Sequence, residues 1–256
     1  MPLRNRGVCA ALAAAVLVLL PACDAAPQQA AEATVTIGLM SSLPLTFPLG
    51  ADIAAIANGS VPVPWQRAAL GADYRIEPLD TLSPTPALSA DAVALDPLAG
   101  LTRLAVIQPR GLSPTDNVAL DNWVRGGGRL LLALDPALTG MYDLSLGDPR
   151  RPVESALIPP VVERWGLAIR FDEEQTEALT SASLGETTLP LVLSGTVVIT
   201  DPAAGQCTLD AGGAAARCRI GQGHVTLIAD AAIFEDEELA GQGGKALRAV
   251  VAEAFK

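Results

Sequence analysis

Polar residues stand where several predicted strands end, which is where open α/β sheets bind their ligands. These residues are Ser41, Ser42, Arg110, Asp135 and Asp230. Because the carboxyl ends of parallel strands share one edge of a sheet, we expect these side chains to line a common cleft. Arg110 would hold an acidic group there or pair with Asp135. Alternatively, both aspartates cap turns and helix starts while the serines hydrogen-bond their own loop, and the pattern favours this alternative.

No combination of residues forms a convincing catalytic centre. Ser41 or Ser42 would need a base to act as a nucleophile, and no histidine lies nearby in the pattern. The only histidine, His224, stands where its predicted strand begins, at the opposite end from the ligand edge. We therefore expect no enzymatic activity. The alternative is a hydrolase that uses Asp135 and Asp230 on an envelope glycan or small molecule, which requires a strongly raised pKa at one carboxyl.

A late acidic segment offers oxygen ligands for Ca²⁺ or Mg²⁺. It comprises Asp230, Glu235, Asp236, Glu237 and Glu238. Their spacing matches no EF-hand loop, and a solvated acidic helix start explains them better. The glycine-rich stretches 126–128 and 221–223 each precede a strand rather than a helix, so they are predicted to be turns and not phosphate cradles. We expect neither a metal nor a cofactor.

The beginning of the chain has the pattern of an export signal. Arg4 and Arg6 precede an apolar run from Val8 to Leu20, which is too short to cross a bilayer. Pro21, Ala22 and Cys23 follow, in a bacterial lipobox-like arrangement with Cys23 as the lipidated residue. The alternatives are an ordinary secretory signal or a core cysteine. We predict a signal peptide at residues 1–22, a tether at 23–33 and a domain at 34–256.

Charge and cysteine content fit the cell envelope. Without Arg4 and Arg6, 15 basic residues remain against 28 acidic ones, so nucleic acid is excluded as a partner.

Cys207 and Cys218 lie symmetrically about Gly212 and Gly213, which predicts a hairpin closed by a disulfide or, less favourably, a metal or redox pair. In a two-residue turn the pair would occupy a hydrogen-bonded site, so we expect a looser loop or a strained bond. Asp24 favours retention at the periplasmic side of the inner membrane.

The elements that must position these residues form a mixed α/β pattern. The clearest unit is a strand at 103–107, a helix capped by Ser113 and a strand at 129–134, which together predict a βαβ crossover with Trp123 facing the sheet. The other predictions are strands at 35–40, 74–79, 167–171 and 224–229, short helices at 51–57 and 161–165, a surface loop at 83–99, hairpin strands at 189–193 and 196–200, and a terminal helix presenting Leu247, Val250, Val251 and Ala254. The predicted fold is a mostly parallel central sheet flanked by helices, with antiparallel hairpins near the C-terminus.

Two segments carry a family resemblance. The run from Leu104 to Pro136, and the segment from Gly221 through Asp230 to Asp236, resemble class I glutamine-amidotransferase-like, flavodoxin-like α/β domains. This group includes the auxiliary component of gliding-motility-type ABC transport systems and related envelope proteins. Together the two segments cover about a fifth of the chain.

The chain departs from true amidotransferases at the position of their nucleophile. Those enzymes place a cysteine on the turn after a central strand, and the corresponding turn here is Leu134, Asp135 and Pro136. Glutamine hydrolysis by that mechanism is therefore excluded. The resemblance implies a non-catalytic binding or accessory domain whose partners are ABC transporter subunits or an envelope sugar.

Overall fold

The computed structural model describes residues 35–87 and 93–256. The predicted signal peptide, the lipidation site Cys23, Asp24 and the tether lie outside the described residues, as does the centre of the predicted 83–99 loop. No helix of the described residues is long and apolar enough to cross a membrane.

A mixed seven-stranded sheet forms the centre of the fold. Its strands are β1 (Thr36–Ser41), β2 (Arg75–Pro78), β3 (Arg103–Ile107), β4 (Arg129–Ala133), β9 (Gln206–Asp210), β10 (Ala215–Ile220) and β11 (Gly223–Ile228). Their order is β2-β1-β3-β4-β11-β10-β9. The first five strands in this order pair in parallel, whereas β10 and β9 are added antiparallel. The predicted mixed α/β class is confirmed.

Short helices and two small sheets surround this centre. The helices are α1 (Ile53–Ala57), α2 (Trp65–Leu70), α3 (Pro114–Arg125), α4 (Pro160–Arg164), α5 (Ala232–Glu235), α6 (Glu237–Ala240) and α7 (Lys245–Ala254). The small sheets pair β5 (Leu167–Arg170) with β8 (Thr196–Ile199), and β6 (Thr180–Leu184) with β7 (Thr187–Leu191).

Both faces of the central sheet are buried, which explains the nearly all-apolar sequence of β4. Leu131 and Ala133 face a cluster completed by α2, α7 and the β6–β7 hairpin. Leu130 and Leu132 face a second cluster completed by α3 and α4. The predicted face of α7 is fully confirmed, because its four apolar residues are at most 5% exposed.

The predicted βαβ unit is present with its helix cap. Ser113 caps α3 and forms a reciprocal capping box with Asp116, and Pro114 occupies the first turn. Leu120 and Val124 are fully buried against the sheet. Trp123 is half-buried and its indole N–H donates to the carbonyl of Leu101 at 3.2 Å. The helix therefore packs with the predicted face.

The predicted hairpin of strands 189–193 and 196–200 is wrong. The first strand is β7, which pairs with β6 through a two-residue turn that begins at Gly185, and the second is β8, which pairs with β5. The residues between them cannot form a tight turn because the central sheet holds them: Val192 N–H donates to Asp230, and Gly195 N–H donates to the carbonyl of Ala229.

The predicted disulfide between Cys207 and Cys218 is present. The two cysteines lie directly opposite each other on β9 and β10, with their Cα atoms 4.0 Å apart. Residues 211–214 form the connecting loop, which is longer than a two-residue turn, so the looser alternative is correct. The short Cα distance is typical of a non-hydrogen-bonded antiparallel pair.

Candidate functional site

The carboxyl edge of the sheet, formed by the loops that follow β1, β3, β4 and β11, collects the residues that the sequence singled out. Ser41 ends β1, and Asp135 and Asp230 each follow their strand by two residues. The loops also bring Gln108, Tyr142 and Glu235 to this edge. Most of these side chains bond to the loops themselves, as the sequence pattern favoured, instead of lining an open cleft.

Ser42 and Gln108 connect three loops. Ser42 Oγ donates to the carbonyl of Gln108 at 2.6 Å and accepts from the N–H of Val153 at 3.1 Å. The Gln108 amide donates to the carbonyls of Asp135 and Val153, and its oxygen accepts from Asp135 N–H at 2.8 Å. Gln108 is fully buried and has a left-handed φ of 44°. This network fixes the turn that carries Asp135. Ser41 caps its own loop by accepting from Leu43 N–H.

Asp135 is completely buried. One of its carboxylate oxygens accepts from the N–H of Ala137 at 2.8 Å, and the other accepts from the N–H of Ala231 at 2.7 Å. The second bond joins the loop after β4 to the loop after β11. Asp135 therefore stabilises the junction of these loops from inside the protein.

Asp230 has the same kind of environment. It is 1% exposed and accepts from Val192 N–H and Ala232 N–H, both at 2.8 Å. The first bond holds the segment after β7 and the second starts α5. Asp230 thus also holds a turn, the one that leads into α5.

Burial gives both aspartates unusual acid–base properties. Desolvation, together with the nearby charges of Asp230 and Glu235, raises the pKa of Asp135 to about 7 in spite of the two backbone donors. Desolvation likewise raises the pKa of Asp230 to about 7. The hydrogen bonds favour the ionised forms, but burial and like charge outweigh them.

Glu235 and Tyr142 form the part of this edge that reaches solvent. Glu235 accepts from the N–H groups of Thr139 and Gly140 and from the hydroxyl of Tyr142. Burial raises the pKa of Glu235, while burial and the Glu235 carboxylate raise that of Tyr142. A Cβ at Gly140 would collide with the Glu235 carboxylate, so a side chain there would displace Glu235 from its present position.

A cleft of about 360 Å³ opens beside Glu235. We call it the proline cleft, because four prolines from the segment between β1 and α2 line it together with Trp65, Met141, Tyr142 and Glu235. Sequence reasoning placed Glu235 in an acidic helix start and overlooked Trp65 and Tyr142. The prolines of segment 44–64 were the available signal, since they limit regular structure there to the short helix α1 and leave the rest as loop.

Arg110 does not form the expected pair with Asp135. It is exposed, and no ion pair or side-chain hydrogen bond joins it to Asp135 among residues 35–87 and 93–256. Asp135 instead receives backbone N–H donors on both oxygens, which leaves it no need for a cationic partner. Of the five predicted cleft residues, the two serines and two aspartates share the carboxyl edge as internal caps, and Arg110 lies outside their network.

The remaining sequence candidates have structural roles. His224 is exposed at the start of β11, away from the carboxyl edge. Asp236 caps α6 by accepting from Glu238 N–H at 2.7 Å. In the described part of the chain, no three His, Cys, Asp or Glu side chains are grouped to hold a metal ion. The glycine-rich stretches 126–128 and 221–223 lead into β4 and β11 and not into helices.

Comparison with protein families decides the identity of the domain. A family described as "Domain of unknown function (DUF4350)" matches residues 68–249, most of the described fold. The chain belongs to the DUF4350 family. The matched region runs from α2 to α7 and includes Asp135, Asp230 and Glu235, whereas the loop after β1, with Ser41 and Ser42, precedes it. No curated protein gives a significant match.

Solved structures show only distant similarity to this DUF4350 protein. An exo-β-1,4-mannosidase, Op5Man5 from Opitutaceae bacterium strain TAV5, is 14% identical with a TM-score of 0.49 over 87% of this chain and 36% of that chain. A β-galactosidase from Rahnella sp. R3 is 11% identical with a TM-score of 0.45, over 86% and 31% of the two chains. The DUF4350 chain thus spans about a third of these enzymes' length, and similarity at this level does not bear on its activity.

Proposed function

We propose that this DUF4350 protein is a non-catalytic binding or accessory module of the cell envelope that serves an ABC-type transport system, as its resemblance implies. The observation that carries the proposal is the internal use of Asp135 and Asp230. Both carboxylates are buried, and each of their oxygens accepts a hydrogen bond from a backbone N–H. A substrate cannot reach them without opening the loops that they hold together.

The strand order supports an amidotransferase-like or flavodoxin-like fold within this proposal. When the parallel strands are numbered along the chain, β2-β1-β3-β4-β11 has the order 2-1-3-4-5, which is the flavodoxin-like order. The resemblance implies that Asp135 occupies the position where an amidotransferase carries its nucleophilic cysteine. A buried, hydrogen-bonded aspartate at this position agrees with a domain that has the same sheet as the amidotransferases but no nucleophile.

The proposal includes attachment to the membrane through a lipid on Cys23, on the periplasmic side and, because of Asp24, at the inner membrane. The disulfide between Cys207 and Cys218 supports an extracytoplasmic location, since such bonds persist mainly in oxidising compartments. Envelope sugars are the second class of partner that the resemblance implies.

Affinity capture from mild detergent extracts tests the accessory role. The wild-type chain and a Cys23→Ala variant are compared, with bound proteins identified by mass spectrometry. We expect transporter subunits with the wild type and their loss with Cys23→Ala. Recovery of the same proteins with both chains would contradict a role for the anchor, and recovery of nothing specific would contradict the accessory function.

A carboxylate-dependent hydrolase is the second candidate, because the pKa values of about 7 at Asp135 and Asp230 are suited to acid–base catalysis. Burial argues against it. Hydrolysis of an envelope glycan or small molecule that is abolished by both Asp135→Asn and Asp230→Asn in folded protein would establish this alternative.

A further inference from the structure

The proline cleft contains a negative charge with no cationic partner. Glu235 receives three neutral donors, from Thr139, Gly140 and Tyr142. Across residues 35–87 and 93–256, no basic side chain forms an ion pair with Glu235, Asp135 or Asp230. The carboxyls of Asp135 and Asp230 are near enough to Glu235 for their charges to interact, so acidic groups gather at this edge and the floor of the cleft attracts positive charge.

The nearest arginines are engaged elsewhere. Arg67 lies over the ring of Phe47, 5.5 Å from its centroid, and donates to the carbonyl of Thr46. Arg151 pairs with Glu154 and donates to the carbonyls of Tyr142 and Leu144. Neither arginine binds Glu235, so a cation from a ligand or partner would be the first positive charge to pair with this carboxylate.

The walls of the cleft suit the same kind of ligand. Trp65 and Tyr142 offer aromatic surfaces, which attract ammonium and guanidinium groups. Gln66 is buried and donates to the carbonyl of Phe234 at 3.0 Å, which ties the first turn of α2 to the helix that carries Glu235. The aromatic wall and the carboxylate are therefore held together by the fold.

The rim of the cleft is apolar and exposed. Val63 is 62% exposed and Met141 is 97% exposed. Such a rim matches the methylene stem of a long basic side chain and the protein surface around it better than it matches a small free cation. Charge complementarity and the apolar rim together indicate a protein partner.

We propose that the proline cleft receives a lysine or arginine side chain of a partner protein, with the charged group directed to Glu235. This proposal rests on the proposed binding function and gives it a recognition site. It also predicts that the partner presents a basic residue on its contact surface.

Fluorine NMR on the full chain tests the proposal without a known partner. The protein is labelled with 5-fluorotryptophan, and its three tryptophans give three resonances, of which Trp65 is assigned with Trp65→Phe. The probes are the N-acetyl methylamides of lysine and arginine. The N-acetyl methylamide of norleucine, which has a stem of similar length and no charge, is the matched control probe.

We expect the lysine or arginine probe to shift the Trp65 resonance with saturation, while Trp123 and Trp165 stay unchanged. Glu235→Gln should weaken this binding at least about fivefold, which corresponds to the loss of one partly desolvated charge contact. Glu238→Gln removes the same charge from an exposed neighbouring position and should leave the binding unchanged. An equal shift with norleucine, or no shift with either charged probe, would overturn the proposal.

The wild-type comparison of charged and uncharged probes decides the question even if Glu235→Gln fails to fold. The outcome is also separate from the accessory role. If the basic probes bind saturably but no partner is captured from membranes, the cation site is supported and the transport proposal is contradicted. Partner capture that is insensitive to Glu235→Gln would retain the transport proposal and remove the cleft from it.

Discussion

Carboxylates at the start of α3 and at the carboxyl edge of the sheet accept similar hydrogen bonds but have opposite acid–base behaviour. Asp116 at the start of α3 is 8% exposed, and Asp135 at the carboxyl edge is fully buried. Burial opposes ionisation of Asp116, but donors from Ser113, Thr81, Leu82 and Ser83 outweigh it and lower its pKa. Asp135 has two backbone donors, and burial together with like charge raises its pKa to about 7.

This difference shows that accepting hydrogen bonds does not by itself determine the charge of a buried carboxyl. Asp116 has more donors and no acidic neighbour among the causes of its shift, so it holds the loop at 81–83 as a full anion. Asp135 and Asp230 share their surroundings with Glu235, and each added negative charge makes the next one less favourable. The ionised form of Asp116 stabilises the start of α3, whereas the carboxyl edge is more stable when Asp135 and Asp230 are protonated.

The largest expected effect is the pH dependence of stability at the carboxyl edge. Asp135 and Asp230 titrate at about 7 in the folded protein, against a reference value of 3.8. The folded state therefore binds more protons than the unfolded state between these values, and their stabilising contribution is lost as the pH rises from about 4 to about 7. Each group changes the free energy of unfolding by about 1.4 kcal/mol per pH unit, or up to about 4 kcal/mol in total.

Urea unfolding between pH 4.5 and 7.5 measures this contribution. Asp135→Asn or Asp230→Asn should each flatten the decline of stability by about 1.4 kcal/mol per pH unit. Asp201→Asn is the matched control, because Asp201 also accepts a turn N–H, from Ala203, but is exposed. An unchanged slope in both edge variants would mean that these carboxyls are ionised in the folded protein.

The next largest effect is expected at Asp116. Asp116→Ala removes the acceptor for Thr81, for the N–H groups of Leu82 and Ser83, and for Ser113, and should cost about 3 kcal/mol of stability at pH 7. This contribution has the opposite pH dependence to that of Asp135: it is present above the ordinary aspartate pKa and is lost as the pH falls below it.

Thermal or urea unfolding at pH 7 checks this loss. Glu163→Ala is the control, since Glu163 is an exposed acid in the first turn of α4. A cost at Asp116 no greater than that at Glu163 would show that the loop at 81–83 does not depend on the carboxylate.

The smallest effect is expected at Tyr142. Tyr142→Phe removes one donor to Glu235, so the pKa of Glu235 should rise further and stability should fall by about 1 kcal/mol. Tyr74→Phe is a natural control, because the chain has only two tyrosines. Urea unfolding at pH 7 compares the two variants, and equal costs would indicate that the Tyr142 hydroxyl contributes nothing through Glu235.

Local patterns predicted the elements that local residues determine. The cap of α3 followed from Ser113 and Pro114, and the disulfide followed from the symmetry of two cysteines about two glycines. Local patterns could not predict the pairing of β5 with β8. The segment between β7 and β8 is held to the central sheet by hydrogen bonds from Val192 and Gly195 to Asp230 and Ala229, which are distant in sequence. The site was predictable only as an edge. Strand ends located Asp135 and Asp230, but Tyr142 lies in a loop and Trp65 at the start of a short helix, and no sequence period relates either residue to Glu235.

The central claim is that Asp135 and Asp230 hold loops together and take no part in chemistry, while the protein acts by binding. The most direct test compares the wild type, Asp135→Asn and Asp230→Asn in parallel assays of partner capture from membranes and of hydrolysis of envelope glycans. We predict no hydrolysis by any of the three proteins and the same captured partners for every variant that remains folded. Hydrolysis by the wild type that both folded variants lose, without capture of a partner, would contradict the account.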